Sequence, residues 1–256
     1  MPITHHVDAV SQLRGEPSRR PRIDRGLAGG LRAWLNDELF EIFGEDHSTK
    51  IVRSPWSLTH RGAPHSTLGI ARGALVGALF TQRMLGSTIE HPMDDALCVL
   101  EADPGAAPLT HEIHQLDPDR FALLAAEVSA HDAVLAQQLR PVPSSWLPRF
   151  GVQACVALHG GQLTLRSTTD AMLGPAPHDV ASVALLDVTT AAHDQHIHQE
   201  LTLRALIETL RAGTQPFAVA SLSSATGALA LLEVREHDLV EAVHAIVKAT
   251  KEALHG

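Results

Sequence analysis

From Leu27 to Phe43 the apolar residues Leu27, Leu31, Trp34, Leu35, Leu39 and Ile42 recur at helical spacing, and Gly44 supplies a stop. The same period predicts a helix over 66–85, where Gly69, Gly73 and Gly77 fall on one face and would let another element approach closely. A third helix is predicted over 118–138, carried by Phe121, Leu123, Leu124, Val128 and Val134. The chain up to Arg140 is thus mainly helical in expectation. Prolines at 141, 143 and 148 then fix φ and remove amide donors, which marks a change of architecture.

Beyond that break the period shortens. Segments 152–158 and 162–168 alternate around Gly160-Gly161 as a hairpin, and 181–188 is almost wholly apolar, as a central strand should be. A helix over 195–210, strands over 217–222 and 228–234 and a last helix over 238–254 complete the order β-β-β-α-β-β-α. The fold class expected is α/β (α+β): a mixed sheet flanked by helices, with a helical N-terminal half.

Composition narrows the class. The chain has 256 residues, 45% hydrophobic and 19% charged, enough for a large core. Two cysteines, Cys98 and Cys155, cannot build a disulfide scaffold or a four-thiolate metal site, so a reduced, cytoplasmic location is expected. The N-terminus lacks the basic start and apolar run of a secretory signal, and no apolar stretch is long enough to span a bilayer, so no membrane is expected as a partner. A net charge of -9 argues against strong non-specific nucleic-acid binding, although a local basic groove stays open. The basic residues comprise 17 Arg and only three Lys, at 50, 248 and 251. Residues 1–26 contain the basic run from Arg14 to Arg25 and are expected to form a flexible arm, either a phosphate-contacting tail through Arg19, Arg20 and Arg22 or a plain solvated terminus.

Two acids stand where chemistry could be carried: Asp170, just after the hairpin's second strand, and Asp187, near the end of the apolar strand. An acid ending a hydrophobic strand is costly unless paired, hydrogen-bonded or bound to a cation. Neighbouring strands would let both carboxylates converge on Mg²⁺ or Mn²⁺; the alternative is that each caps a turn. His193, His196 and His198, with Asp187 and Asp194 nearby, form a second candidate constellation, suited to zinc or another transition metal and hence to a metal-dependent hydrolase. Against it stands the abundance of His, 17 in all, which makes a solvent-facing helix start an equally simple account. Phosphate-loop, dinucleotide-loop, HExxH and GxSxG signatures are absent, and Ser54, Ser57 and Ser66 near His60 and His65 lack an oxyanion-hole signature.

The stretch Asp170-Ala-Met-Leu-Gly174 after a Gly hairpin, Asp187-Val188-Thr189 at a strand end, and the segment HQELTLRALIETLRAGTQPFAVAS resemble the PD-(D/E)XK nuclease superfamily. The RecB-type branch is the best match, in the variant common among actinobacterial uncharacterised proteins. ARGALVGAL from Ala71, GLAGGLRAWLNDELFEI and WLPR from Trp146 resemble the same branch, so the likeness covers nearly the whole chain. It implies a restriction-endonuclease-like core within a single domain over 27–256, with a helical part at 27–140 and the sheet-containing part at 150–256. It also implies Mg²⁺ or Mn²⁺ held by Asp170, Asp187 and the Val188 carbonyl, and DNA as the candidate partner; the basic residues expected to meet it are Arg19, Arg20, Arg22, Arg72 and Arg166.

Departures from the family pattern bear on activity. The position of the family's catalytic lysine is Thr189, and no lysine lies between 50 and 248. Removing a positioned group of that kind commonly costs about 10²–10⁴ in rate. Gly77 stands where the branch often offers a ligand, and Arg166 does not deprotonate. The expectation is therefore a nuclease-like protein of DNA metabolism with impaired or lost phosphodiester hydrolysis. The alternatives are a non-catalytic nucleic-acid-binding or scaffold module and the metal-dependent hydrolase of the His cluster.

Overall fold

The computed structural model describes residues 8–15, 20–44, 48–60, 66–175 and 180–255. Its elements in chain order are α1 (Ala9–Arg14), α2 (Leu27–Phe43), β1 (Ile51–Arg53), α3 (Pro55–Thr59), α4 (Thr67–Leu85), α5 (Pro92–Glu101), α6 (Ala107–His114) and α7 (Pro118–Gln138). They continue with β2 (Arg149–Leu158), β3 (Leu163–Leu173), β4 (Ala184–Thr189), α8 (Ile197–Ala212), β5 (Ala218–Ser223), β6 (Leu229–Glu233) and α9 (Glu236–His255). Among the described residues this is a mixed α/β arrangement of nine helices and one open, mixed, six-stranded sheet.

β3 organises the sheet. Its whole length runs antiparallel to β2, and its other edge is shared by two partners: β1 lies parallel to 163–165 and β4 antiparallel to 171–173. From β4 the chain crosses through α8 to β5, which returns parallel to β4, and β6 closes antiparallel on β5. A parallel neighbour requires such a helical crossover, whereas the β2–β3 pair needs only the short turn at His159–Gly161.

Alternation along β4 sends side chains into two cores. Ala184 and Leu186 join Leu75, Leu79 and Phe80 of α4 and Leu124 and Val128 of α7. Val183 and Leu185 face the opposite side, with Leu35 and Leu39 of α2, Leu201 and Leu206 of α8 and Val243 and Ile246 of α9. Asp187, two residues after Leu185, therefore points toward the α8 layer.

Several expectations are revised. β3 runs to Leu173 rather than stopping at 168, which places Asp170 inside the strand and not after it. Gly73 and Gly77 admit no neighbour: a Cβ at either would meet nothing within 4 Å. The glycine that matters sterically is Gly174, with φ +108°, where a Cβ would sit 1.9 Å from the Ser182 carbonyl oxygen. The described part of 1–26 is not a free arm. Ala9, Val10 and Leu13 of α1 are buried in the first core, Arg22 bridges to Val180, and the Ala181 amide donates to the Pro21 carbonyl. Ser54 and Ser57 form a capping box on α3, and Ser66 caps α4, which explains those serines without hydrolytic chemistry; His65 lies outside the described residues. No helix of the described residues is long and apolar enough to cross a membrane.

Candidate functional site

One step along the register from the Ala171–Leu186 pair, Asp170 of β3 stands opposite Asp187 of β4. Strand pairing brings the two carboxylates together, as expected from sequence, and each accepts a main-chain amide from across the ladder. The Asp170 amide donates to Asp187 Oδ1 at 3.0 Å, and the Val188 amide donates to Asp170 Oδ2 at 2.8 Å. The contact of Val188 with the pair is made through its amide, whereas the expected ligand was its carbonyl.

The cation at this site comes from a residue that the sequence pattern did not single out. Arg204 of α8 places Nη1 2.9 Å from Asp187 Oδ2. The same nitrogen donates to the Thr168 carbonyl at 2.7 Å and to Ser167 Oγ at 3.3 Å, so its contact with Asp187 is an ion pair without hydrogen-bond alignment, and Oδ2 is left as a buried acceptor with no donor. An arginine amid the buried leucines of an amphipathic helix, beside a strand carrying a buried acid, is the signal that could have found it.

Burial governs the electrostatics. Desolvation first, then the charge of Asp187, pushes the Asp170 carboxyl up to about 7, with the Val188 amide and Arg204 opposing. Asp187 is also raised by burial, against the pull of Arg204. Thr189 is turned to structural work: its Oγ1 accepts from the Ala191 amide, and its carbonyl accepts from the Ser224 amide and hydroxyl.

These residues do not fit Mg²⁺ or Mn²⁺ as arranged. A hard divalent ion needs several converging oxygens. Here one oxygen on each acid accepts a main-chain amide, and the remaining Asp187 oxygen has a guanidinium at 2.9 Å. Among the described residues no three His, Cys, Asp or Glu side chains gather where a metal ion could bind.

The histidine constellation separates in the same way. His193 Nε2 lies 3.2 Å from Ser221 Oγ, and Ser221 is the β5 residue paired with Asp187; burial lowers the His193 pKa, opposed by Asp194. His196 packs edge-on against His60 at 5.6 Å, and His198 is exposed. His60, missed as a partner, binds Asp194 Oδ2 at 2.8 Å through Nε2, approaches Glu200 at 3.3 Å through Nδ1 and stacks on Trp56. This bond to His60 holds the Asp194 carboxyl below the usual range.

The arginines expected to meet nucleic acid do not form one surface around the acids. Arg19 lies outside the described residues. Arg20 is half-buried over the Phe217 ring, Arg22 is exposed near Val180, and Arg72 of α4 is paired to Glu127 at 3.1 Å. Arg166 is exposed on β3, four residues from Asp170 and so about 13 Å along the strand.

No protein-family model and no curated protein matches the chain.

Proposed function

We propose that this chain is a PD-(D/E)XK nuclease-like protein of DNA metabolism in which phosphodiester hydrolysis is impaired or lost. The single observation that carries the loss is Arg204: its guanidinium stands against Asp187, on the carboxylate that the resemblance assigns to the metal. Support for the ancestry comes from the arrangement of the resembling residues. A glycine hairpin leads into the strand that carries Asp170, the neighbouring strand carries Asp187, and the following helix faces the acids through Arg204. Thr189 deepens the loss, because a neutral hydroxyl already engaged with Ala191 cannot stabilise developing negative charge as an ammonium would.

The test is a cleavage assay on single- and double-stranded DNA with Mg²⁺ or Mn²⁺. Wild-type protein is expected to cut no faster than background. Thr189→Lys alone should recover little, since Arg204 still holds Asp187, whereas Thr189→Lys combined with Arg204→Gln should give measurable metal-dependent cutting. Robust wild-type cleavage that disappears in Asp187→Ala would overturn the reading and restore an active nuclease.

A further inference from the structure

On the other face of the sheet from Asp187, α1 and the chain from Arg20 flank the start of β5 and the end of β6 and enclose a cavity of about 550 Å³. That volume is in the range of small-molecule pockets, roughly 300–1,000 Å³. Arg14, Arg20 and Arg235 line it, and the one carboxylate among the described lining residues is Glu233. Among the described lining residues, three guanidinium groups stand against one carboxylate, an excess of two positive charges.

Arg14 and Arg20 are held in place by contacts that do not neutralise them. Arg20 lies over the Phe217 ring with its guanidinium carbon 4.2 Å from the centroid, and its Nη2 donates to the Arg14 carbonyl at 3.3 Å. Its Nε is buried without an acceptor. Arg14 is placed over the Trp146 ring at 5.6 Å. Arg235 lies 3.8 Å from Glu233. Burial, then the charge of Arg14, depresses the Arg20 pKa. Leu13, Phe217 and Leu231 supply apolar wall beside these groups.

We infer that this cavity is a binding site for a phosphate monoester carried on an apolar or aromatic body of about mononucleotide size. A phosphate monoester brings about -1.5 to -2 charges at neutral pH, which matches the uncompensated wall. Guanidinium forks pair with its oxygens in bidentate geometry. The apolar body packs beside Leu13 and Leu231. The inference is independent of the acid pair, which lies on the opposite face.

The test is calorimetric titration of the full chain with adenosine 5′-monophosphate, adenosine and inorganic phosphate. The monophosphate is expected to bind saturably at one site, with adenosine at least tenfold weaker and phosphate alone weaker than the monophosphate. Arg14→Gln and Arg235→Gln, both exposed and so neutral for folding, should each weaken the monophosphate about tenfold, the loss expected for one charge-assisted contact. Absence of saturable binding at millimolar monophosphate, equal binding of adenosine, or unchanged binding by both variants would each overturn the site. Competition by a 5′-phosphorylated oligonucleotide but not its 5′-hydroxyl counterpart would identify a strand end as the source of the phosphate; lack of competition beside tight monophosphate binding would identify a free small molecule. Either result supports the monoester chemistry, and neither depends on whether DNA is cut.

Discussion

The acid pair and the arginine cavity place charge on opposite faces of one sheet and treat it in opposite ways. Asp170 and Asp187 are compensated from within, by the Val188 and Asp170 amides and by Arg204. Arg14 and Arg20 are compensated by aromatic rings, which orient a guanidinium without cancelling its charge. The acids meet two amides and a guanidinium and keep one buried Asp187 oxygen without a donor, whereas the arginines meet rings and a carbonyl. The acids thus draw most of their compensation from their own fold, and the cavity is the place for which we propose a ligand.

The strongest way to break the comparison is to remove the internal compensation. Arg204→Leu leaves Asp187 buried with no cation, and loss of one member of a buried pair costs about 3–5 kcal/mol. We expect a loss at the lower end of that range at pH 8, because Arg204 keeps 19% of its side-chain surface exposed. Without the guanidinium both acids are pushed further up, so the loss should shrink as pH falls and they take up protons. Denaturant melts at pH 8 and pH 5 measure this; equal destabilisation at both values would show that Arg204 acts through packing alone.

Asp170→Asn sharpens the comparison with a smaller effect of opposite sign. The Asp170 carboxyl is raised from 3.8 to about 7 in the folded protein. As pH climbs between those values the unfolded chain releases its proton while the folded chain keeps it, so wild-type stability falls across that window. Asparagine escapes the penalty and retains a carbonyl oxygen for the Val188 amide. The variant should match wild type near pH 4 and exceed it by about 1–3 kcal/mol above pH 7. A variant less stable than wild type at pH 8 would mean that the ionised acid is favourable in place.

Much of the scaffold was legible before any coordinates. The periodicities of α2, α4, α7, α8 and α9 located those helices to within a few residues, and the apolar run of β4 announced a central strand. Convergence of Asp170 and Asp187 was legible only on the condition that their strands are neighbours, which the β3–β4 pairing meets. What escaped was tertiary. β1 and α3 are too short for a period to register, and α1 looked like part of a basic tail because three buried apolar residues sit ahead of a run of arginines. Arg204 escaped for a different reason. Its partner lies on a strand seventeen residues earlier, and only the crossover that sets α8 against β4 brings the two together. The histidines misled in the converse sense, since closeness in sequence at 193, 196 and 198 becomes divergence once the chain turns into α8.

The smallest effect belongs to a third ion pair, whose exposure marks how far the buried pair is from ordinary surface chemistry. Asp194 binds His60 at 2.8 Å with 47% of its side-chain surface exposed. An exposed pair contributes about 0–1 kcal/mol and is screened by salt. The Asp194 carboxyl is held low by His60, so its contribution is present above the unfolded carboxylate pKa and fades as acidification protonates it. Asp194→Asn should therefore lower the melting temperature at pH 6 by no more than about 1–3 °C. At about 1 M salt, where the screening length falls to roughly 3 Å, that difference should vanish while the Arg204→Leu loss persists. If salt erases both alike, the acid pair is solvated rather than enclosed, and the contrast between the two faces of the sheet disappears.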